Sequence, residues 1–228
     1  MRLLLTFGIL SMLLAPAQAQ FGINGAYARA NAGDWEQLVA TEWGDGPSFY
    51  QNGWKAGVDY WFRLKKVRLE FLPEVGYGRW EARNEAETFE TSTIYFQLNA
   101  NLYPFNFLDD CDCPTFSKQD PFLKKSFFLQ LSPSVQRMTH RYAPVNNEIY
   151  EVADWAYGLG LGAGVDLGVS DLLTLTPFVR YSVLWQVEWE EFRALPLFEQ
   201  QTPEPSPDVP TDWSQLEVGL RLGVRLNE

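Results

Sequence analysis

Between Trp155 and Val169 the chain alternates without a break. Trp155, Tyr157, Leu159, Leu161, Ala163, Val165, Leu167 and Val169 occupy one phase; Ala156, Gly158, Gly160, Gly162, Gly164, Asp166 and Gly168 occupy the other. A period of two places these sets on opposite faces of a β-strand, whereas a helix would need apolar residues three and four apart. The C-terminus repeats the pattern: Leu216, Val218, Leu220, Leu222, Val224 and Leu226 alternate with Glu217, Gly219, Arg221, Gly223 and Arg225. A helix there would scatter those charges over its whole circumference.

The same reading predicts strands through Trp54–Phe62, Val67–Tyr77, Ile94–Leu102, Phe127–Val135 and Leu173–Trp185, with a weaker one near residues 21 to 32. That makes eight. Tight turns at Leu64-Lys65-Lys66 and Ser170-Asp171-Leu172 alternate with longer polar links, and a further segment runs from Pro104 to Lys125. Pro73, Pro133 and Pro177 each fall on the apolar face of a strand. A proline removes one ladder donor, and a bulge or local bend is the expected response.

Composition narrows the class. The 228 residues are 46% hydrophobic and 15% aromatic, too apolar for a disordered chain. With 18 basic against 29 acidic side chains, a net charge of −11 would repel a nucleic acid, and none is expected as a partner. One His and two Cys cannot complete a four-ligand zinc site without carboxylates. Met1-Arg2, an apolar run over residues 3 to 15 and Ala17-Gln18-Ala19 match a secretory signal peptide cleaved after Ala19. Residues 1–19 are thus expected to be removed and residues 20–228 to form one domain.

An eight-stranded barrel can bury its apolar phase inside, in water, or turn it outward to lipid. The outward choice is favoured because the second phase is small and polar, while the apolar phase is too bulky for so narrow an interior. Charges also avoid the apolar phase, as expected when a lipid-facing Lys or Arg costs about 2–4 kcal/mol at mid-bilayer. Trp54, Trp80, Trp155, Trp189 and Trp213 fall at one end of their strands, where an interfacial girdle would sit.

In this pattern the chain resembles the small bacterial outer-membrane β-barrel families: OmpX, the OmpA membrane domain and the PorT-like barrels. The most specific pieces are Gly158-Leu159-Gly160-Leu161-Gly162-Ala163-Gly164-Val165-Asp166-Leu167 and the last strand, Glu217-Val218-Gly219-Leu220-Arg221-Leu222-Gly223-Val224. The latter looks like the signal such families present to the barrel-assembly machinery. Many relatives end in Phe or Trp; this chain ends Leu226-Asn227-Glu228. The resemblance implies a Gram-negative outer membrane, with lipid and lipopolysaccharide as surroundings and both termini periplasmic. Segments 33 to 50, 82 to 90, 139 to 154 and 190 to 212 would then face the exterior, and 104 to 125 the periplasm.

The inferred interior carries Lys55, Arg63, Arg68, Arg180, Arg221 and Arg225 against Asp59, Glu70, Glu74, Asp166, Glu188 and Glu217. Six positive and six negative groups read as an ion-pair network filling a lumen only wide enough for side chains. The expected role is therefore non-enzymatic: structural, adhesive or linked to envelope assembly, with a small-solute pore or a lipid A-modifying rim enzyme as rivals. Acidic residues concentrate in the long segments, where they form either a solvated surface or a contact to lipopolysaccharide through divalent cations, or to a cationic partner. His140 reads as a solvated rim histidine with no serine in a recognisable spacing. No catalytic residue, metal ligand or cofactor is nominated. Cys111 and Cys113, in Asp109-Asp110-Cys111-Asp112-Cys113-Pro114, are open to a disulfide, an intermolecular bridge or a metal contact, and to a periplasmic partner.

Overall fold

The computed structural model describes residues 20–32, 52–64, 68–83, 87–105, 126–143, 149–170, 172–187 and 211–225. Its strands are β1 (Gln20–Asn31), β2 (Gly53–Arg63), β3 (Leu69–Arg83), β4 (Thr88–Leu102), β5 (Phe127–Ala143), β6 (Tyr150–Val165), β7 (Leu167–Gly168), β8 (Leu173–Val187) and β9 (Thr211–Arg225). Strands adjacent in sequence pair antiparallel except β6 and β7, which follow one another along a single stave; β6 pairs with β8, and β9 returns to β1 from Gln20↔Arg225 to Asn31↔Ser214. β7 continues β6 against β8 in one register, Gly164↔Phe178 and then Leu167↔Leu175, with only Asp166 interrupting. The result is a closed, all-antiparallel barrel of eight staves. The end at Gln20 and Arg225 is called lower, and the end at Asn31 and Ser214 upper.

Alternation sets the two faces, as expected. Phe21, Ile23, Val58, Phe96, Leu131, Leu161, Val179 and Val218 are exposed on the outside. On β4 the outward apolar run spans about nine residues, Leu102 to Ile94, roughly what a strand tilted near 45° needs to cross a hydrocarbon core.

Of the bulge or local bend expected at the prolines, the bulge is absent. Pro73 faces a gap in the β2 ladder between Asp59↔Glu74 and Phe62↔Phe71, Pro133 a gap in the β4 ladder, and Pro177 a gap in the β6 ladder. In all three the register resumes unshifted. A strand residue directs its N–H to one neighbour only, so the missing donor interrupts a single ladder and leaves the other intact, as Pro73↔Leu98 and Pro177↔Leu220 show. The register shift lies elsewhere, between Leu184 and Val187 on β8, where Gln186 takes φ 61.

Two expected loops are largely strand. β3 and β4 consume most of 82 to 90, and β5 and β6 most of 139 to 154. Alternation persists there in polar dress: Arg79 ion-pairs with Glu81 at 3.2 Å and Glu90 at 3.0 Å on the outside, while Trp80, Ala82 and Phe89 turn inward. The turn at Ser170 is tight, as expected, with Ser170 Oγ accepting the Leu173 N–H at 3.1 Å.

Candidate functional site

The interior is stacked in three levels. At the lower end Arg221 (β9) donates to Asp59 (β2) through Nε at 2.8 Å and Nη2 at 2.6 Å. Gly22 makes room for this pair, since a Cβ there would sit 2.5 Å from both the guanidinium and the carboxylate. Beside it the Tyr103 hydroxyl lies 2.9 Å from Glu70 Oε2 and 2.5 Å from Asp166 Oδ2, one proton between two carboxylates. Trp61 Nε1 donates to Glu70 at 2.7 Å, Thr176 to Asp166 at 2.6 Å, and the Arg68 guanidinium covers the Tyr103 ring at 4.2 Å. A cavity of about 60 Å³ opens among these groups. That is room for a few water molecules.

The middle level centres on Glu217 (β9). It accepts from Lys55 (β2) at 2.9 Å, Arg180 (β8) at 2.5 Å and 3.1 Å, and Gln215 at 2.8 Å. Arg180 reaches on to Asn99 at 3.0 Å and Gln130 at 3.2 Å. Glu74 accepts from Tyr95 at 2.8 Å and Asn99 at 2.7 Å, and the Lys55 ammonium lies 4.2 Å over the Tyr95 ring. Two cations and two carboxylates, all buried, thus neutralise one another with their remaining atoms hydrogen-bonded, the condition for burying charge at tolerable cost. Gly76 admits the Tyr95 ring: a Cβ there would stand 2.3 Å from it.

The upper level is apolar. Trp80, Phe89, Met138, Tyr142, Leu184, Val187 and Trp213 form one buried cluster with Ala28, Ala30 and Ala32. Trp80 meets Trp213 edge to face, and Phe89 stacks on Tyr142 at 4.5 Å. Gly158 accommodates Leu184, whose Cδ2 lies 2.3 Å from where a Cβ would be. The glycines of β6 thus provide space for side chains of the two flanking strands, Leu184 and Arg180 of β8 and Phe128 of β5.

Of the charged residues expected inside, Lys55, Asp59, Arg68, Glu70, Glu74, Asp166, Arg180, Glu217 and Arg221 are brought together in the lower and middle levels. Arg63 sits on the inward phase of β2 but is exposed at the lower rim. Arg225 pairs in β9 with Gln20, its side chain outside the described residues; Glu188, Cys111, Cys113 and Trp189 lie outside them altogether.

Three expectations are corrected. Trp54 and Trp155 are exposed outside, but Trp80 and Trp213 are inside. Their numbers betray them: the lipid phase is odd on β3 and even on β9, and each tryptophan has the opposite parity. His140 is not solvated; it is fully buried, its Nδ1 2.8 Å from Thr91 Oγ1, because β5 runs on to Ala143 and even positions point inward. The interior phase is accordingly not small and polar throughout. Tyr95, Asn99, Tyr103 and Gln130 were missed as members of the network, although each occupies the inward phase of its strand or that phase's continuation. Among the described residues no group of three or more His, Cys, Asp or Glu is placed to hold a metal.

No family model and no curated protein matches the chain. Among solved structures, Neisserial surface protein A (NspA) is similar at 14% identity and a TM-score of 0.51, over 92% of this chain and 98% of that one. The attachment invasion locus protein Ail of Yersinia pestis, crystallised with the heparin analogue sucrose octasulfate, aligns at 8% identity and a TM-score of 0.46, over 90% and 97%. The N-terminal β-barrel domain of Pseudomonas aeruginosa OprF aligns at 9% identity and a TM-score of 0.41, over 90% and 96%. The chain has the fold of the small outer-membrane β-barrels.

Proposed function

We propose that the protein is a non-enzymatic outer-membrane barrel of a Gram-negative bacterium whose lumen is plugged, and that it works through its outer surface. The observation that carries this is the stacking of the interior: a neutral ion-pair layer beneath an apolar layer of paired aromatic rings, with a cavity of about 60 Å³ confined to the part below them. The interior of an eight-stranded barrel is narrow enough for side chains to fill it. The outward apolar belt supports the membrane assignment, with the lower end periplasmic and the upper end exterior. The inward burial of His140, away from any lipid chain at the rim, supports a role without lipid chemistry.

On this reading residues 1–19 are a cleaved leader. Intact-mass measurement of the membrane-extracted protein tests this, with a chain starting at Gln20 expected. The segment carrying Cys111 and Cys113 would face the periplasm as a partner contact; deleting residues 108 to 118 should leave the barrel inserted and abolish co-purification of that partner. The plug is tested in planar bilayers. Purified protein should be electrically silent, whereas discrete conductance steps that shift on Arg180→Gln would replace this reading with a small-solute pore.

A further inference from the structure

On the outward face of β4, β5 and β6 the apolar band gives way abruptly. Ile94 lies opposite Arg137, Arg137 opposite Trp155, and Ser92 opposite Thr139, with Arg141 two positions above Thr139. Ile94 is 62% exposed, Trp155 is 58% exposed, and Arg137 projects between them. Arg79, on the far side of β4, has Glu81 and Glu90 as counter-ions; Arg137 forms no ion pair among the described residues. Arg141 stands between Glu90 and Glu151 in register, and Glu90 is taken by Arg79.

An arginine at the edge of a hydrocarbon belt lays its stem on apolar surface and extends its guanidinium into the headgroup layer. That fork matches phosphate bidentately, and the Ser92 and Thr139 hydroxyls beside it add donors. The depth of the polar wall indicates which headgroup. Ordinary headgroups add about 5–8 Å per leaflet. Above Ile94, β4 continues to Thr88 and β5 to Ala143, roughly 14 Å of additional tilted strand. A phospholipid headgroup leaves the upper part of that wall uncovered, whereas a taller saccharide headgroup would reach it.

We propose that Arg137, with Ser92, Thr139 and Arg141, binds a phosphate of a phosphorylated saccharide-headed lipid in the outer leaflet, with Trp155 against the same molecule. The site rests on the membrane assignment above but not on the plugged lumen. The test is native mass spectrometry of the full mature protein in mild detergent, titrated with bis-phosphorylated lipid A, dephosphorylated lipid A or phosphatidylglycerol. Folding of each variant is checked by heat-modifiable gel mobility. Wild type should retain the bis-phosphorylated form at least tenfold better than the other two, and Arg137→Gln should erase that preference while Arg29→Gln, on the opposite wall, preserves it. Equal retention of phosphatidylglycerol, or an unchanged preference in folded Arg137→Gln and Arg137→Gln/Arg141→Gln, would overturn the site. Conductance recorded on the same samples reports separately on the lumen, so the two readings fail independently.

Discussion

The indoles of Trp80 and Trp213 meet edge to face inside the barrel, centroids 5.6 Å apart, although β1 and β2 separate their strands in the wall. The contact therefore spans the lumen rather than a ladder. Removing either ring should leave a void that alanines 28, 30 and 32 cannot fill. Trp80→Ala should cost about 3–5 kcal/mol in urea unfolding followed by far-UV circular dichroism. A loss below about 1 kcal/mol would mean the upper layer is not packed as described.

Glu217 is the hub of the middle level, so its loss should hurt more than loss of the whole charged set. Glu217→Leu strands Lys55 and Arg180 without their shared carboxylate and should destabilise by about 3–5 kcal/mol. The quadruple variant Lys55→Met/Arg180→Met/Glu74→Gln/Glu217→Leu, which leaves no buried charge in the level, should recover most of that loss. If the quadruple is as unstable as the sum of the singles, the residues do not form one unit.

Glycine position should decide glycine importance. Gly76→Ala drives a methyl against the Tyr95 ring at 2.3 Å and the Ala56 carbonyl at 2.5 Å, and should cost about 1–3 kcal/mol. Gly25→Ala faces outward with nothing within 4 Å, and should be neutral or stabilising by about 0.5–1 kcal/mol. Thermal unfolding in one detergent compares the two directly.

A barrel without lipid chemistry should leave lipid A unaltered. Expressing wild type or His140→Ala in a host with defined lipid A should yield identical lipid mass spectra. A mass change present with wild type and absent with His140→Ala would make His140 catalytic despite its burial.

Much of this architecture is legible in alternation alone, because a period of two assigns every residue on a strand to a face. The errors arose where alternation ran through polar residues. Arg79, Glu81 and Glu90 look like loop, yet they are the outward half of a strand whose inward half is Trp80, Ala82 and Phe89. Following parity past Tyr77 would have placed Trp80 inside, and following it past Val135 would have buried His140. Parity fails at one described place. The shift at Gln186 exchanges the faces of β8, turning Val187 inward where uninterrupted alternation would send it out. Which ions meet was not legible at all: Lys55 and Glu217 are 162 positions apart and become neighbours only because the sheet closes.

The seam between β1 and β9 has a consequence for how such a molecule is made. The first strand of the barrel waits for the last, so until β9 is available the growing sheet carries two unsatisfied edges, each a template for pairing with another chain. The pairing of β1 with β9 removes both edges at once. A chain lacking β9 loses more than one stave: it keeps an open rim on which copies can add to one another.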